Sequence, residues 1–199
     1  MQRLRELSRL VEAVYNDIDH TYGKYQQDSG LQCRSGCGAC CNNPHIEATE
    51  LEMLPMALSL FDRGQAEVML DKLAEYNGFS CLHFVRQSLD GNQGYCGEYA
   101  HRPGVCRMFG AAAVKAKHGL TLSVCKTIKQ DVPQKYAAGL IALGEGGVPV
   151  IPHDKERIRQ LDFSLSQQEL PLNKALSAAL QRVLTAAWYS AEDAENQVA

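Results

Sequence analysis

Near the amino terminus, Leu4, Leu7, Val11, Val14, Ile18 and then Tyr22 or Tyr25 recur every three or four positions, with charges on the other face. That spacing predicts a helix over about residues 3–26, and Gly30, after a polar stretch, marks its exit. Thr49 and Glu52 have the spacing of a capping box just ahead of an apolar run, which predicts a helix over 50–61. Pro55 is awkward deep inside a helix, so this one either starts later or is kinked. A further helix fits 64–76, with Ala66, Met69, Leu70, Leu73 and Tyr76 on one face and Asn77-Gly78 ending it. Toward the carboxyl end, Leu172, Leu176, Leu180, Val183, Leu184 and Ala187 form one stripe. They predict a helix over 171–189, with Pro171 suited to its first turn. From Ala191 on the chain is acidic and is expected to fray.

Between these helices the pattern changes. Asp90-Gly91-Asn92 is a strong turn signal and predicts a hairpin within 79–110, with Cys81 near one strand and Cys96 on the other. Residues 111–125 predict a second hairpin that turns at His118-Gly119. Residues 133–143 read as helix and Gly144–Pro152 as a loop rich in glycine and proline. The expected fold is mainly α, with a small irregular α+β centre and N- and C-terminal helices framing a cysteine-rich core. It is read as a single domain over 1–199, with a metal-binding core at 30–126 and helical framing segments at 1–29 and 127–199.

A chain of 199 residues with 45% apolar content can build one core of ordinary size. A net charge of −3 without a basic stripe argues against a nucleic-acid partner. The opening MQRLRELSRLVEAV mixes charges into its apolar positions, unlike a signal peptide. No stretch approaches the roughly 18 apolar residues of a membrane span, so no membrane association is expected. These features together place the protein in the cytoplasm, where thiols stay reduced.

That compartment changes the meaning of the cysteines. Four of them, Cys33, Cys37, Cys40 and Cys41, fall within the nine residues CRSGCGACC, and Cys81, Cys96, Cys106 and Cys125 follow. None lies in the first 32 residues or the last 74, whereas a disulfide framework would spread along the chain. Eight cysteines gathered in a reducing compartment read as metal ligands. Tetrahedral zinc and iron–sulfur clusters both take four thiolates, so one site with spare residues and two sites both fit the count. Spacing does not choose between zinc and a [4Fe–4S] cluster. If the segment from Cys33 is helical, Cys33, Cys37 and Cys40 or Cys41 share a face, while Cys40 and Cys41 point about 100° apart. One of that adjacent pair then serves a second metal, bridges two, or packs in the core.

A four-thiolate centre carries net negative charge. Arg34, Arg102, Arg107 and Lys126 each lie within a few residues of a cysteine, and Arg102 and Arg107 are the stronger candidates to stand behind the ligands. Arg107, directly after Cys106, is favoured as the donor. His45, His83, His101 and His118 are weaker candidates for a mixed site. Tyr95 and Tyr99 read as core packing, and Arg102-Pro103 as shaping the chain before Cys106. Gly144, Gly146 and Gly147 lack the spacing of a nucleotide-binding loop. Catalytic residues are not legible.

CRSGCGACC at 33–41, SCLHF at 80–84, CGEYAHRPGVCRMFG at 96–110 and the later Cys125 occur in the order found in the YkgJ-like cysteine-cluster family, the zinc- or iron-chelating CxxCxxCC domain. The chain resembles that family over about residues 30–126, departing at SCLHF, where relatives more often show PCPFL. The resemblance implies a metal-binding domain. One branch of the family is the flagellin lysine N-methylase, linked to S-adenosylmethionine chemistry, so a metal-dependent protein-modifying enzyme is an alternative to a pure metal-binding module. A transient metal carrier or sensor is a third.

Overall fold

The computed structural model describes residues 1–196. The chain is mainly α, 56% helical, with three small two-stranded sheets among the described residues. Helix α1 (Gln2–Ser29) ends at Gly30, whose φ of 66° gives the left-handed turn that glycine adopts without a Cβ clash. Leu4, Leu7, Val11, Ile18 and Tyr22 are buried as the stripe requires, and so is Tyr15, which lies off it. A two-residue strand β1 (Glu47–Ala48) leads into α2 (Glu50–Asp62), and α3 (Ala66–Glu75) follows.

The capping box sets the start of α2: the Thr49 hydroxyl accepts from the Glu52 amide, and the Glu52 carboxylate accepts from the Thr49 amide. The helix therefore begins at Glu50, with Pro55 inside it. Pro55 has no amide hydrogen to offer the Leu51 carbonyl one turn back. Burial compensates, because eight consecutive residues, Leu51 to Leu58, are buried between α1 and the last helix.

The hairpin of β2 (Phe84–Arg86) and β3 (Gly94–Cys96) pairs Phe84 with Cys96. Residues 99–101 form one 3₁₀ turn, and α4 (Gly104–Met108) carries Cys106. Strands β4 (Ala111–Ala116) and β5 (Gly119–Val124) form the second hairpin, with Ala116 opposite Gly119. Its turn is therefore Lys117-His118, one residue earlier than the sequence suggests. Two short helices follow, α5 (Lys126–Asp131) and α6 (Pro133–Ala142).

Within the stretch read as loop, Ile151 opens α7 (Ile151–Arg159), which the pattern does not reveal because only Ile158 is buried along it. Strand β6 (Leu170–Pro171) pairs antiparallel with β1 and delivers the chain into α8 (Leu172–Asn196). The helix thus runs on past Ala191, where fraying was expected, and residues 197–199 lie outside the described part.

The main core joins α1, α2 and α8, with Ile158 of α7 and Met108 of α4 closing one side. A second, smaller cluster of Leu31, Ala111, Leu122, Val124 and Ile128 lies beneath the β4–β5 hairpin. Among the described residues no helix is long and apolar enough to cross a membrane.

Candidate metal centre

The CRSGCGACC stretch is not helical. It is a run of turns laid against the β2–β3 hairpin: Gly38 N–H donates to the Asn92 carbonyl (3.3 Å), and Gly94 N–H donates to the Gly36 carbonyl (2.9 Å). Cys37 forms an isolated antiparallel bridge with Gln93. The shared helical face considered for Cys33, Cys37 and Cys40 therefore does not exist. Glycine makes the close approach possible. A Cβ on Gly38 would stand 2.3 Å from the Phe84 ring, and one on Gly94 also 2.3 Å from it, so the ring is held between two positions that lack side chains.

Folding this loop onto the hairpin gathers the distant cysteines. Cys81 N–H donates to the Cys41 carbonyl at 2.8 Å. Cys96 ends β3, and Cys106 lies in the first turn of α4, where its amide donates to the Pro103 carbonyl at 3.0 Å. Seven cysteines, Cys33, Cys37, Cys40, Cys41, Cys81, Cys96 and Cys106, line one cavity of about 580 Å³. Its floor is apolar, from Met53 and Met56 of α2 and Leu172 and Leu176 of α8. Cys125 stands apart from the cavity lining. It follows β5 and packs against the second hydrophobic cluster.

No disulfide links these residues, and among the described residues no three Cys, His, Asp or Glu side chains are yet drawn tightly enough together to hold one ion. The chemistry of the donor set nevertheless fits a thiophilic metal: seven thiols share a cavity walled partly by apolar side chains.

The thiols also shape one another's acidity. Cys33 is exposed as a residue, but the atoms crowded around its thiol desolvate it and push it up to about 11, helped by its neighbours Cys37, Cys40 and Cys125. Cys81 rises to about 11 through burial, and Cys96 and Cys106 are raised by burial too, Cys106 strongly. Cys40 and Cys41 are in contact. The Cys41 thiol donates to Cys40, which lowers Cys40 to about 6 and holds the proton on Cys41, whose pKa is raised. Several thiolates cannot coexist here without a cation, a requirement that a bound metal would meet.

The two arginines divide their roles differently from the sequence expectation. Arg107 is fully committed to the scaffold: its Nε donates to the Arg102 carbonyl (2.9 Å) and its guanidinium to the Ala100 carbonyl (2.7 Å), it pairs with Asp19, and it lies over the Tyr15 ring. Arg102 pairs with the other Asp19 oxygen at 3.3 Å and stacks on Tyr99, but its buried Nε has no hydrogen-bond partner among the described residues. Its positive charge acts on Cys33, Cys40, Cys96 and Cys106. Arg34 turns away from the thiols to pair with Asp131, its Nε 2.9 Å from Oδ2.

Tyr95 and Tyr99 are 51% and 61% exposed, so neither is core packing. A two-residue alternation in so short a strand turns Tyr95 outward once Cys96 faces in. His83 lines the cysteine cavity with its Nε2 buried and unpartnered among the described residues, and burial lowers its pKa so that it is neutral. His45 and His118 are exposed, and His101 Nδ1 lies 3.4 Å from Glu98. A linking residue that motif reading missed is Glu52. Its Oε1 accepts from the Val105 amide at 3.3 Å and so ties the cap of α2 to the residue before Cys106.

The CxxCxxCC family model, described as "Putative zinc- or iron-chelating domain", matches residues 32–130. That span holds all eight cysteines and closes within α5. Residues 32–130 belong to the CxxCxxCC family. No curated protein and no solved structure matches the chain. Of the helices that line the cysteine cavity, α2 lies within the matched residues, whereas α1 and α8 lie outside them.

Proposed function

We propose that the protein binds metal through its cysteine thiolates, holding zinc or a [4Fe–4S] cluster, in one folded unit whose 30–126 core is framed by the helical segments on either side. One observation carries this reading. Between Ala66 and Met108 the only buried apolar side chain is that of Pro103, although Cys81, Cys96 and Cys106 lie there. Between Leu31 and Ile46, the segment of the four clustered cysteines, there is none. Ordering backbone costs about 1–2 kcal/mol per residue, and these segments bury too little apolar surface to offset that. Metal binding to thiolates, worth roughly 10–16 kcal/mol in small zinc domains, supplies what is missing. Arg102, rather than Arg107, is the cation that offsets the charge of the loaded thiolates.

The test is metal content and the absorption spectrum of protein purified without oxygen. Iron with acid-labile sulfide in a brown sample identifies an iron–sulfur protein, and zinc in a colourless sample a zinc protein. Absence of both, with all thiols free, overturns the reading.

The cavity favours a second reading. At about 580 Å³ it lies within the roughly 300–1,000 Å³ of small-molecule sites and is far larger than an ion needs. A metal-dependent enzyme that modifies a protein side chain would use that space for a cofactor. Calorimetry with S-adenosylmethionine tests it, and no heat of binding to the metal-loaded protein removes this particular cofactor.

A further inference from the structure

We infer that the eight cysteines form two adjoining four-thiolate metal sites, an outer one from Cys33, Cys37, Cys40 and Cys125 and an inner one from Cys41, Cys81, Cys96 and Cys106. This deepens the metal-binding reading and rests on it.

Two separate scaffolds hold the two sets. On the outer side, Leu31, two residues before Cys33, is fully buried with Val124 and Ile128, the residues that bracket Cys125. The Arg34–Asp131 pair then clamps the cysteine loop to α5, the helix that Cys125 caps. Cys37 completes the turn above Cys33, its amide donating to the Arg34 carbonyl at 3.4 Å. On the inner side, the Cys81 amide donates to the Cys41 carbonyl, and the Phe84 amide donates to the Cys81 carbonyl at 3.0 Å. Phe84 is paired with Cys96 across the hairpin. Cys81 and Cys106 both pack against the main core, whereas Cys125 packs against the smaller one.

The inner set is complete with four thiols. The outer set has three, and Cys40, which stands at the seam beside Cys41, Cys81, Cys96 and Cys106 on one side and Cys33 on the other, fills its fourth place. The adjacent Cys40-Cys41 pair thus joins two centres. The sites differ in access at one position, because Cys33 is exposed while the other seven cysteines are partly buried, so the outer metal exchanges first.

The experiment is anaerobic titration of metal-stripped full-length protein with cobalt(II), read by the sulfur-to-cobalt charge-transfer absorption, followed by timed removal with a chelator. Wild type is expected to take up about two equivalents, one per four-thiolate site, and to release them in two phases. Cys125→Ser is expected to lose the fast phase alone, and Cys106→Ser the slow one. Arg34→Ala, which removes the side chain that pairs with Asp131 but keeps every thiol and the Arg34 carbonyl that accepts from Cys33 Sγ, is expected to weaken only the fast site, about tenfold, and guards against a ligand variant that fails to fold. Uptake of about one equivalent, with Cys125→Ser and Cys106→Ser each abolishing it, overturns the two-site arrangement while leaving metal binding intact. Uptake of none overturns the metal-binding reading itself.

Discussion

Replacing Glu52 with alanine tests how the frame reaches the thiols. The side chain is buried, and its carboxylate accepts from two amides, Thr49 at 2.9 Å and Val105 at 3.3 Å. Truncation strands both donors in a region closed to water. A buried donor left unpaired costs about 1–3 kcal/mol, so the pair comes to roughly 2–6 kcal/mol. An opposing effect trims this. Burial raises the Glu52 pKa, meaning that its charge is held in the fold at a cost the variant no longer bears. The net expectation is a loss of about 2–4 kcal/mol, or roughly 4–16 °C in Tm for a chain of this size. The raised pKa also fixes the sign of the pH dependence. The stability that protonated Glu52 contributes is fully present below the unfolded value near 4.5 and is lost as pH rises through the folded one. The gap between wild type and Glu52→Ala therefore widens as pH falls from 8 toward 5. Denaturant titrations of both proteins at several pH values, matched in metal content, measure it. A gap under about 0.5 kcal/mol, or one that narrows on acidification, refutes the reasoning.

Gly38→Ala places a Cβ 2.3 Å from the Phe84 ring and is expected to lift the cysteine loop from the hairpin and lower metal content at least severalfold, with Phe84→Leu in the same chain restoring part of it; unchanged metal content in Gly38→Ala counts against the loop placement. Leu180→Ala, at a fully buried position of α8, is expected to destabilise by about 2–5 kcal/mol in chemical denaturation with the metal-to-protein ratio unchanged. Arg102→Gln is expected to weaken metal affinity about 10–100-fold in competition with a chelator, while Arg107→Gln mainly lowers Tm; the reverse pattern would return Arg107 to the thiols.

The long elements were legible because each carries a repeated signal. The α1 stripe with Gly30 behind it, the Thr49–Glu52 box and the Leu172–Val183 stripe each combine several residues, and the structure places all of them. Short elements carry too few residues to repeat anything. Helix α7 has one buried residue, α5 has one, and the β1–β6 ladder is two residues long and joins positions more than 120 apart in sequence. The cysteine-bearing segments could be recognised by type and order. Their conformation could not, because the turns of CRSGCGACC are set by Phe84, far along the chain, lying between Gly38 and Gly94. The same limit explains the arginines. Arg107 adjoins Cys106 in sequence, but Asp19, Tyr15 and the Ala100 carbonyl hold it elsewhere, and those partners belong to other elements.

The division of labour between frame and thiols follows from where apolar residues were available. Helices α1, α2 and α8 supply more than half of the buried apolar side chains, and residues 67–107 supply only Pro103. The frame can therefore form with the metal absent, whereas the Cys81–Cys106 segment depends on hydrogen bonds, the Glu52 tie and the ligands. Metal removal then has a local effect. Amides of β2, β3 and α4 should lose protection from hydrogen exchange while those in the middle of α1, α2 and α8 keep theirs. Direct ties between the two parts include the Glu52–Val105 contact, the Arg102–Asp19 and Arg63–Glu98 ion pairs, the Asn173 side chain that accepts from the Leu82 amide at 2.9 Å and donates to the Ser80 carbonyl at 3.0 Å, and the packing of Cys81 and Cys106 on the core. Asn173 comes from the first turn of α8, outside the family match, so this C-terminal helix is placed to hold the Cys81 segment in register before any metal arrives.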